Sequence, residues 1–257
     1  VPYQPTLFVP TVKQSPYKTI TGERVEPRGF HSINEAREFI KARSKTSTDP
    51  IYGMQQFAYA YINDEYPKRE FDFSQLNILN FDIETKSDEG FPNIETANMP
   101  ILSIAVRCNG QSYILGCGDY KPSGDDIYTK CQTETHLLHK FVELWEKLNP
   151  DIVTGWNIET FDIPYVVRRI ESQCGKDVMR RLSPFKRVME RHFGRPDPQT
   201  SAVAEAMEIY GVTILDYLSL YRKFTYIQQE SYALDYIGEA ELGEKKLDYS
   251  EYGTLND

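Results

Sequence analysis

The sequence predicts an α/β protein in which a mixed sheet is flanked by helices, preceded by a smaller α+β module. Three observations carry this. From Leu76 onward, short apolar runs with period-two alternation give way to helices of 3.6-residue periodicity, in the order strand, strand, strand, helix, strand, helix. Residues 1 to about 75 differ in texture, being rich in Pro, Lys and Tyr. The composition, 40% hydrophobic and 26% charged over 257 residues, is that of a globular chain long enough for one large domain or two ordinary ones.

The elements follow in order. In the first module, Thr6-Leu7-Phe8-Val9 and Phe57-Ala58-Tyr59-Ala60-Tyr61-Ile62 look like strand pieces around one amphipathic helix, Ile33 to Ala42. Ser32 is placed to cap that helix, with Glu35 three residues on completing a capping box. The domain boundary is expected near residue 75, giving units of 1–75 and 76–257. The second unit should hold strands at 76–84, 100–107 and 111–116. A helix follows at about 133–148, whose apolar residues Leu137, Leu138, Phe141, Val142, Leu144, Trp145 and Leu148 are spaced to pack on a sheet. Then come a strand at 151–154, a helix at 161–172, a basic stretch, a Gly/Pro-rich loop, a strand over Met207 to Leu215, and helices near 216–224 and 231–239.

Composition also excludes some chemistries. Four separated cysteines without a C-x-x-C argue against a zinc ribbon and for reduced thiols. No apolar run approaches the roughly 20 residues that span a bilayer, and no secretory pattern is seen at the start, so an intracellular, cytoplasmic protein without a membrane partner is expected. A net charge of -9 speaks against a surface that grips nucleic acid everywhere, while allowing a local basic strip or an acidic metal site.

Two acids interrupt the first apolar strand, Asp82 and Glu84 in Asn80-Phe81-Asp82-Ile83-Glu84-Thr85. Positions i and i+2 of a strand share a face, so these two lie together, opposite Phe81, Ile83 and Thr85. They fall where a core usually closes, and their burial should need compensation. A divalent cation is the usual remedy, and carboxylate oxygens select Mg2+ or Mn2+ over zinc. By itself D-x-E is weak, since about one is expected by chance in so acidic a chain.

The second acidic element is Gly155-Trp156-Asn157-Ile158-Glu159-Thr160-Phe161-Asp162, where a strand breaks at glycine and a helix opens with Pro164 in its first turn. Asp162 either caps that helix or stands across a cleft from Asp82 and Glu84. Asp216, after Val212 to Leu215, has the same two readings, capping or a place near the metals.

F-D-I-E-T together with N-x-x-x-F-D resembles the first two motifs of the 3′→5′ proofreading exonuclease domain of family B DNA polymerases, with the T-even-type bacteriophage polymerases as the nearest likeness. The resemblance extends through the start of the chain, D-E-G-F-P (88–92), R-L-S-P-F-K-R-V (181–188), and I-L-D-Y-L-S-L-Y-R-K-F followed by S-Y-A-L-D-Y-I (214–237). It implies a ribonuclease H-like fold and two-metal hydrolysis of the 3′-terminal phosphodiester of single-stranded DNA. On that likeness Asp82, Glu84 and Asp162 are the metal ligands and catalytic carboxylates, Asn157 and Phe161 touch the strand, and Phe91 stacks on the terminal base. The remaining polymerase and a primer-template would be its partners, in the host cytoplasm.

The family's third motif, Y-x-x-x-D, is not found. Tyr232 to Asp235 is one residue short and Tyr252 to Asp257 one long, so a fragment of a larger polymerase, truncated before that motif and weakly active or inactive alone, is expected. His192 to Asp197 fits the alternative H-x-x-x-x-D spacing, but its Gly and Pro residues make it a loop where a helix is needed. His31, His136 and His139 read as surface or packing residues. Lys176, Arg180, Arg181, Lys186, Arg187, Arg191 and Arg195 either track phosphates or form a solvated face. Phe91 either stacks or lids the core, and residues 191–210 match, irregularly, a hairpin that parts primer from template. A rival reading is a non-catalytic module that binds single-stranded nucleic acid. A glycosidase would explain the acids but not the N-x-x-x-F-D turn.

Overall fold

The computed structural model describes residues 2–68, 70, 72–86, 90, 92–193 and 204–244, with the side chains of 192, 193, 204 and 205 excepted. The chain divides into two compact units, Val1–Phe71 and Asp72–Asp257.

In the first unit, β1 (Thr6–Pro10) pairs antiparallel with β2 (Val25–Gly29), beside helices α1 (Ile33–Thr46) and α2 (Phe57–Glu65). Leu7, Phe30, Ala36 and Phe57 close its small core. Ser32 caps α1 by accepting the Glu35 amide at 3.2 Å, and the Glu35 carboxylate reaches back to the His31 amide at 2.8 Å. Segment 57–62, read from sequence as a strand piece, is instead the body of α2. Its F-A-Y-A-Y-I alternation also sets Phe57 and Tyr61 one helical turn apart, and two alanines favour the helix.

The second unit is built on a six-stranded mixed sheet. Its strands are β3 (Ile78–Thr85), β4 (Ile101–Cys108), β5 (Gln111–Gly116), β6 (Ile127–Lys130), β7 (Ile152–Gly155) and, later in the chain, β10 (Thr213–Asp216), in spatial order β10-β7-β3-β4-β5-β6. Strands β3, β7 and β10 run parallel to one another, while β4 is antiparallel to both neighbours. Helices α3 (Glu134–Leu148) and α4 (Asp162–Cys174) cover one face. There Phe81 stacks on Phe141 at 5.4 Å between centroids, amid Leu79, Ile83, Leu138, Val142 and Ile163. Trp145 is buried in this layer and donates its indole N–H to Leu182 O at 2.9 Å.

After the short helix α5 (Lys176–Met179), β8 (Val188–Phe193) and β9 (Ala204–Ile209) form an antiparallel hairpin. His192 therefore stands at the end of a strand, and Asp197 and Arg195 lie outside the described residues. The single strand expected over 207–215 is two: the backbone turns at Gly211, whose φ of +91° suits glycine, and β10 leaves the hairpin for the main sheet. Strand β6 was not foreseen, because a four-residue edge strand carries too short a period to read. Helices α6 (Tyr217–Phe224) and α7 (Leu234–Leu242) complete the unit. Among the described residues no helix is long and apolar enough to cross a membrane.

Candidate active-site cleft

Strand β3 alternates strictly: Leu79, Phe81, Ile83 and Thr85 are buried, whereas Asn80 and Asp82 are exposed and Glu84 is half-buried. The two acids thus face away from the core, and the compensation for burial that the sequence appeared to demand is not needed at them. The alternation of a one-sided strand resolves the conflict that an apolar run created on paper. The register with β4 slips between Glu84 and Thr85, a bulge of the kind that re-aims side chains at strand ends.

The buried acid is Asp162, 4% exposed in the first turn of α4. Phe161 holds the capping position of that helix, where its side chain makes no capping hydrogen bond, and the Asp162 carboxylate reaches across to accept the Ile83 amide of β3 at 3.1 Å. One hydrogen bond therefore joins the two acidic segments. Burial, and then the charge of Asp82, push the Asp162 carboxyl up to about 7.

The approach depends on the turn between β7 and α4. A Cβ at Gly155 would sit 2.5 Å from Phe81 O and 2.5 Å from the Ile158 side chain, so only glycine admits β3 there. Asn157 takes a left-handed φ of +62°, accepting the Thr160 hydroxyl at 2.7 Å. Asp216 caps α6, as its position after an apolar strand suggested, and also accepts the Asn157 and Glu159 amides.

Asp82, Glu84, Asn157, Phe161 and Asp162 line one cleft of about 510 Å3. Its far wall is α7, which contributes Leu234, Asp235 and Leu242, and Glu244 follows. Trp156 holds that wall by donating its indole N–H to Tyr232 O at 3.1 Å, with Tyr217 and Tyr221 packed against its ring. Asp235 is thus a cleft residue that spacing alone discarded; its signal was an acid in the first turn of a helix that follows S-Y.

Among the described residues no three His, Cys, Asp or Glu side chains gather as a metal cage. The donors present are nonetheless hard oxygens suited to Mg2+ or Mn2+, ions that are commonly held by one or two carboxylates with water and substrate phosphate completing the shell. A buried carboxyl held near neutrality beside a second carboxylate is the local chemistry a divalent cation relieves.

The basic residues are elsewhere. Arg181 forms a two-pronged pair with Glu146 at 3.0 and 2.6 Å, Lys186 approaches the same carboxylate at 3.6 Å, and Arg180 lies 3.4 Å from Asp177. Arg187 stacks over the Tyr210 ring at 4.1 Å. None of these four lines the acidic cleft. Phe91 lies outside the described residues, but the loop after it is tied down by α4: Tyr165 bonds both the amide and the carbonyl of Met99, Arg168 donates to Ile94 O, and Arg169 donates to Ala97 O. Arg169 is itself paired with Glu134 through two 2.6 Å bonds.

Comparison with known proteins supplies the family. The family described as DNA polymerase family B, exonuclease domain, matches residues 27–237. The DNA-directed DNA polymerase of Escherichia phage RB69 is 32% identical over 97% of this chain and 30% of its own length. That of Enterobacteria phage T4 is 31% identical over 100% of this chain and 31% of its own. The DNA polymerase delta catalytic subunit of Caenorhabditis elegans is 28% identical over 67% of the chain. The chain spans less than a third of the length of the two phage relatives. With a family match that covers both acidic segments, the hairpin and α6, and with the sheet and helices of a ribonuclease H-like domain, the chain belongs to the exonuclease domain family of family B DNA polymerases.

Proposed function

We propose that the cleft is the site of a divalent-metal-dependent 3′→5′ exonuclease that acts on single-stranded DNA, within a proofreading DNA polymerase. The observation that carries the reading is Asp162: a carboxylate 4% exposed, bonded to the β3 amide next to Asp82 and held near neutral pKa. Asp82, Glu84 and Asp162 would hold the ions. Bound Mg2+ or Mn2+ supplies an activated water and neutralises charge on the scissile phosphate. The remaining work falls to the chain. Phe161, stacked on the buried Tyr165 at 5.6 Å, offers a fixed aromatic edge to the terminal nucleotide, and Asn157 an amide on the same turn. Phe91 is assigned the stacking position by family likeness. Residues 1–75 are assigned to the polymerase's amino-terminal module and 76–257 to the exonuclease domain.

Arg180, Arg181, Lys186 and Arg187 are assigned a secondary, outlying contact with the strand. Carboxylate neighbours offset part of the charge of Arg180, Arg181 and Lys186, and Arg187 is stacked on Tyr210, so the four add little to a grip centred on the cleft.

Calorimetry with Mn2+ alone tests the reading. The 257-residue chain should bind Mn2+, and Asp162→Ala should abolish the heat; a silent titration of the unsubstituted chain sinks the proposal. Cleavage of single-stranded DNA by this chain should be weak or absent, since the sequence holds no Y-x-x-x-D to orient the water. A robust rate lost on Asp82→Ala would contradict that. The binding-only alternative draws on the absence of a three-ligand cage among the described residues, and predicts strand affinity indifferent to Mn2+.

A further inference from the structure

Asp216 is 4% exposed at the end of β10, in parallel register with Gly155 of β7. Its carboxylate accepts four backbone amides. Oδ1 takes Leu218 at 2.8 Å and Ser219 at 3.4 Å, the local capping pair, and also Asn157 at 3.2 Å. Oδ2 takes Glu159 at 3.0 Å. Capping α6 accounts for the first two bonds. The other two run 59 and 57 residues back along the chain, to the turn that delivers Phe161 and Asp162.

That turn is also held by local bonds, the Phe161 amide to Asn157 O at 3.1 Å and the Thr160 hydroxyl to Asn157 Oδ1 at 2.7 Å, and by the Trp156 indole bond to Tyr232 O, but the Asn157 and Glu159 amides themselves end on Asp216. Its strand has ended at Gly155, its helix has not begun, and Asn157 sits in the left-handed region, where a side chain is tolerated only when the surroundings hold it. Two amides that would otherwise be orphaned between strand and helix end on Asp216. A buried carboxylate satisfied by several backbone N–H groups is a rigid anchor, because moving any donor exposes charge that has no other solvation.

We propose that Asp216 is a positioning residue for the cleft: through the Asn157 and Glu159 amides it fixes the turn, and so sets where Asp162 and Phe161 stand relative to Asp82 on β3. What the positioned groups do rests on the nuclease reading above; the positioning itself does not.

The discriminating variant is Asp216→Asn. Asparagine caps helices as well as aspartate does, and its carbonyl can keep the bonds made at Oδ1. Its amide nitrogen, standing where Oδ2 was, meets the Glu159 N–H donor to donor. A residue needed only as a cap is therefore rescued by asparagine, and a positioning residue is not. In the full chain, hydrogen exchange at Glu159 should quicken by about tenfold or more in Asp216→Asn, while Leu218 and Ser219 stay within roughly twofold. Affinity for Mn2+ alone should fall by roughly tenfold, the usual effect of removing a group that orients ligands. Unchanged exchange at Glu159 together with unchanged Mn2+ affinity overturns the proposal. So does free exchange of the Glu159 amide in the unsubstituted chain, a measurement that needs no variant to fold. If the unsubstituted chain binds no Mn2+, the nuclease reading falls and the exchange measurement alone decides the role of Asp216.

Discussion

Asp162 concentrates the energetics of the cleft in one proton. Its carboxyl stands at about 7 in the fold against an ordinary 3.8, because burial and Asp82 both oppose its charge. The folded state therefore holds a proton that the unfolded chain has released between about pH 4 and pH 7. Stability contributed by this group is fully present below pH 4 and lost as pH rises to 7, an amount on the order of 4 kcal/mol. We expect metal-free stability, measured by denaturant titration, to decline over that interval, and added Mn2+ to remove most of the decline. Asp162→Asn should stabilise the metal-free chain by about 2 kcal/mol at pH 8 and by little at pH 4. A variant no more stable than its parent at pH 8 would contradict the assignment. The identity of these acids was legible from period-two alternation and from N-x-x-x-F-D. Their burial was not: an apolar strand with one open face reads the same in one dimension as a strand buried on both sides, and only the packing of α3 and α4 on a single face makes Asp162 the buried acid.

At the scale of elements, the cleft is a strand-turn-helix set against a neighbouring strand. Gly155→Ala should cost about 3 kcal/mol, since its methyl would collide with the Phe81 carbonyl and β3 can retreat only by breaking its ladder. A loss below 0.5 kcal/mol in chemical denaturation would mean that the two strands are less closely held. The Glu134–Arg169 pair, with side chains 12–15% exposed, fastens α3 and α4 to the 94–101 segment. Arg169→Met alone should destabilise by about 3 kcal/mol, and the double change with Glu134→Gln by clearly less, because the single change strands a buried charge. Helices α3 and α4 were plain in the sequence, since 15 and 13 residues give an apolar stripe several turns to declare itself. The pieces that misled were short. Segment 57–62 satisfies both periods, and 207–215 hides a turn that only Gly211 marks.

For the whole molecule, the two units have separate cores, one around Leu7 and Phe57 and one around Phe81 and Phe141. Calorimetric unfolding should resolve two transitions, with Mn2+ raising only the one that reports the second unit. Coincident transitions that shift together would contradict independent cores. The charge balance of -9, and the pairing of Arg180, Arg181 and Lys186 with carboxylates, make an extended cationic track a poor description of this surface. The basic cluster was visible in the sequence, but its partner was not: Glu146 lies 35 residues before Arg181 and meets it only when α3 packs beside the 180–182 turn. The two tryptophans also divide optically. Trp145 is sealed inside the core, whereas Trp156 forms part of the cleft wall and its ring N–H donates to the Tyr232 carbonyl just before α7. Emission from one indole should stay constant while the other darkens in the presence of a paramagnetic ion, giving this polypeptide a native fluorescent gauge of ligand arrival that needs no added dye.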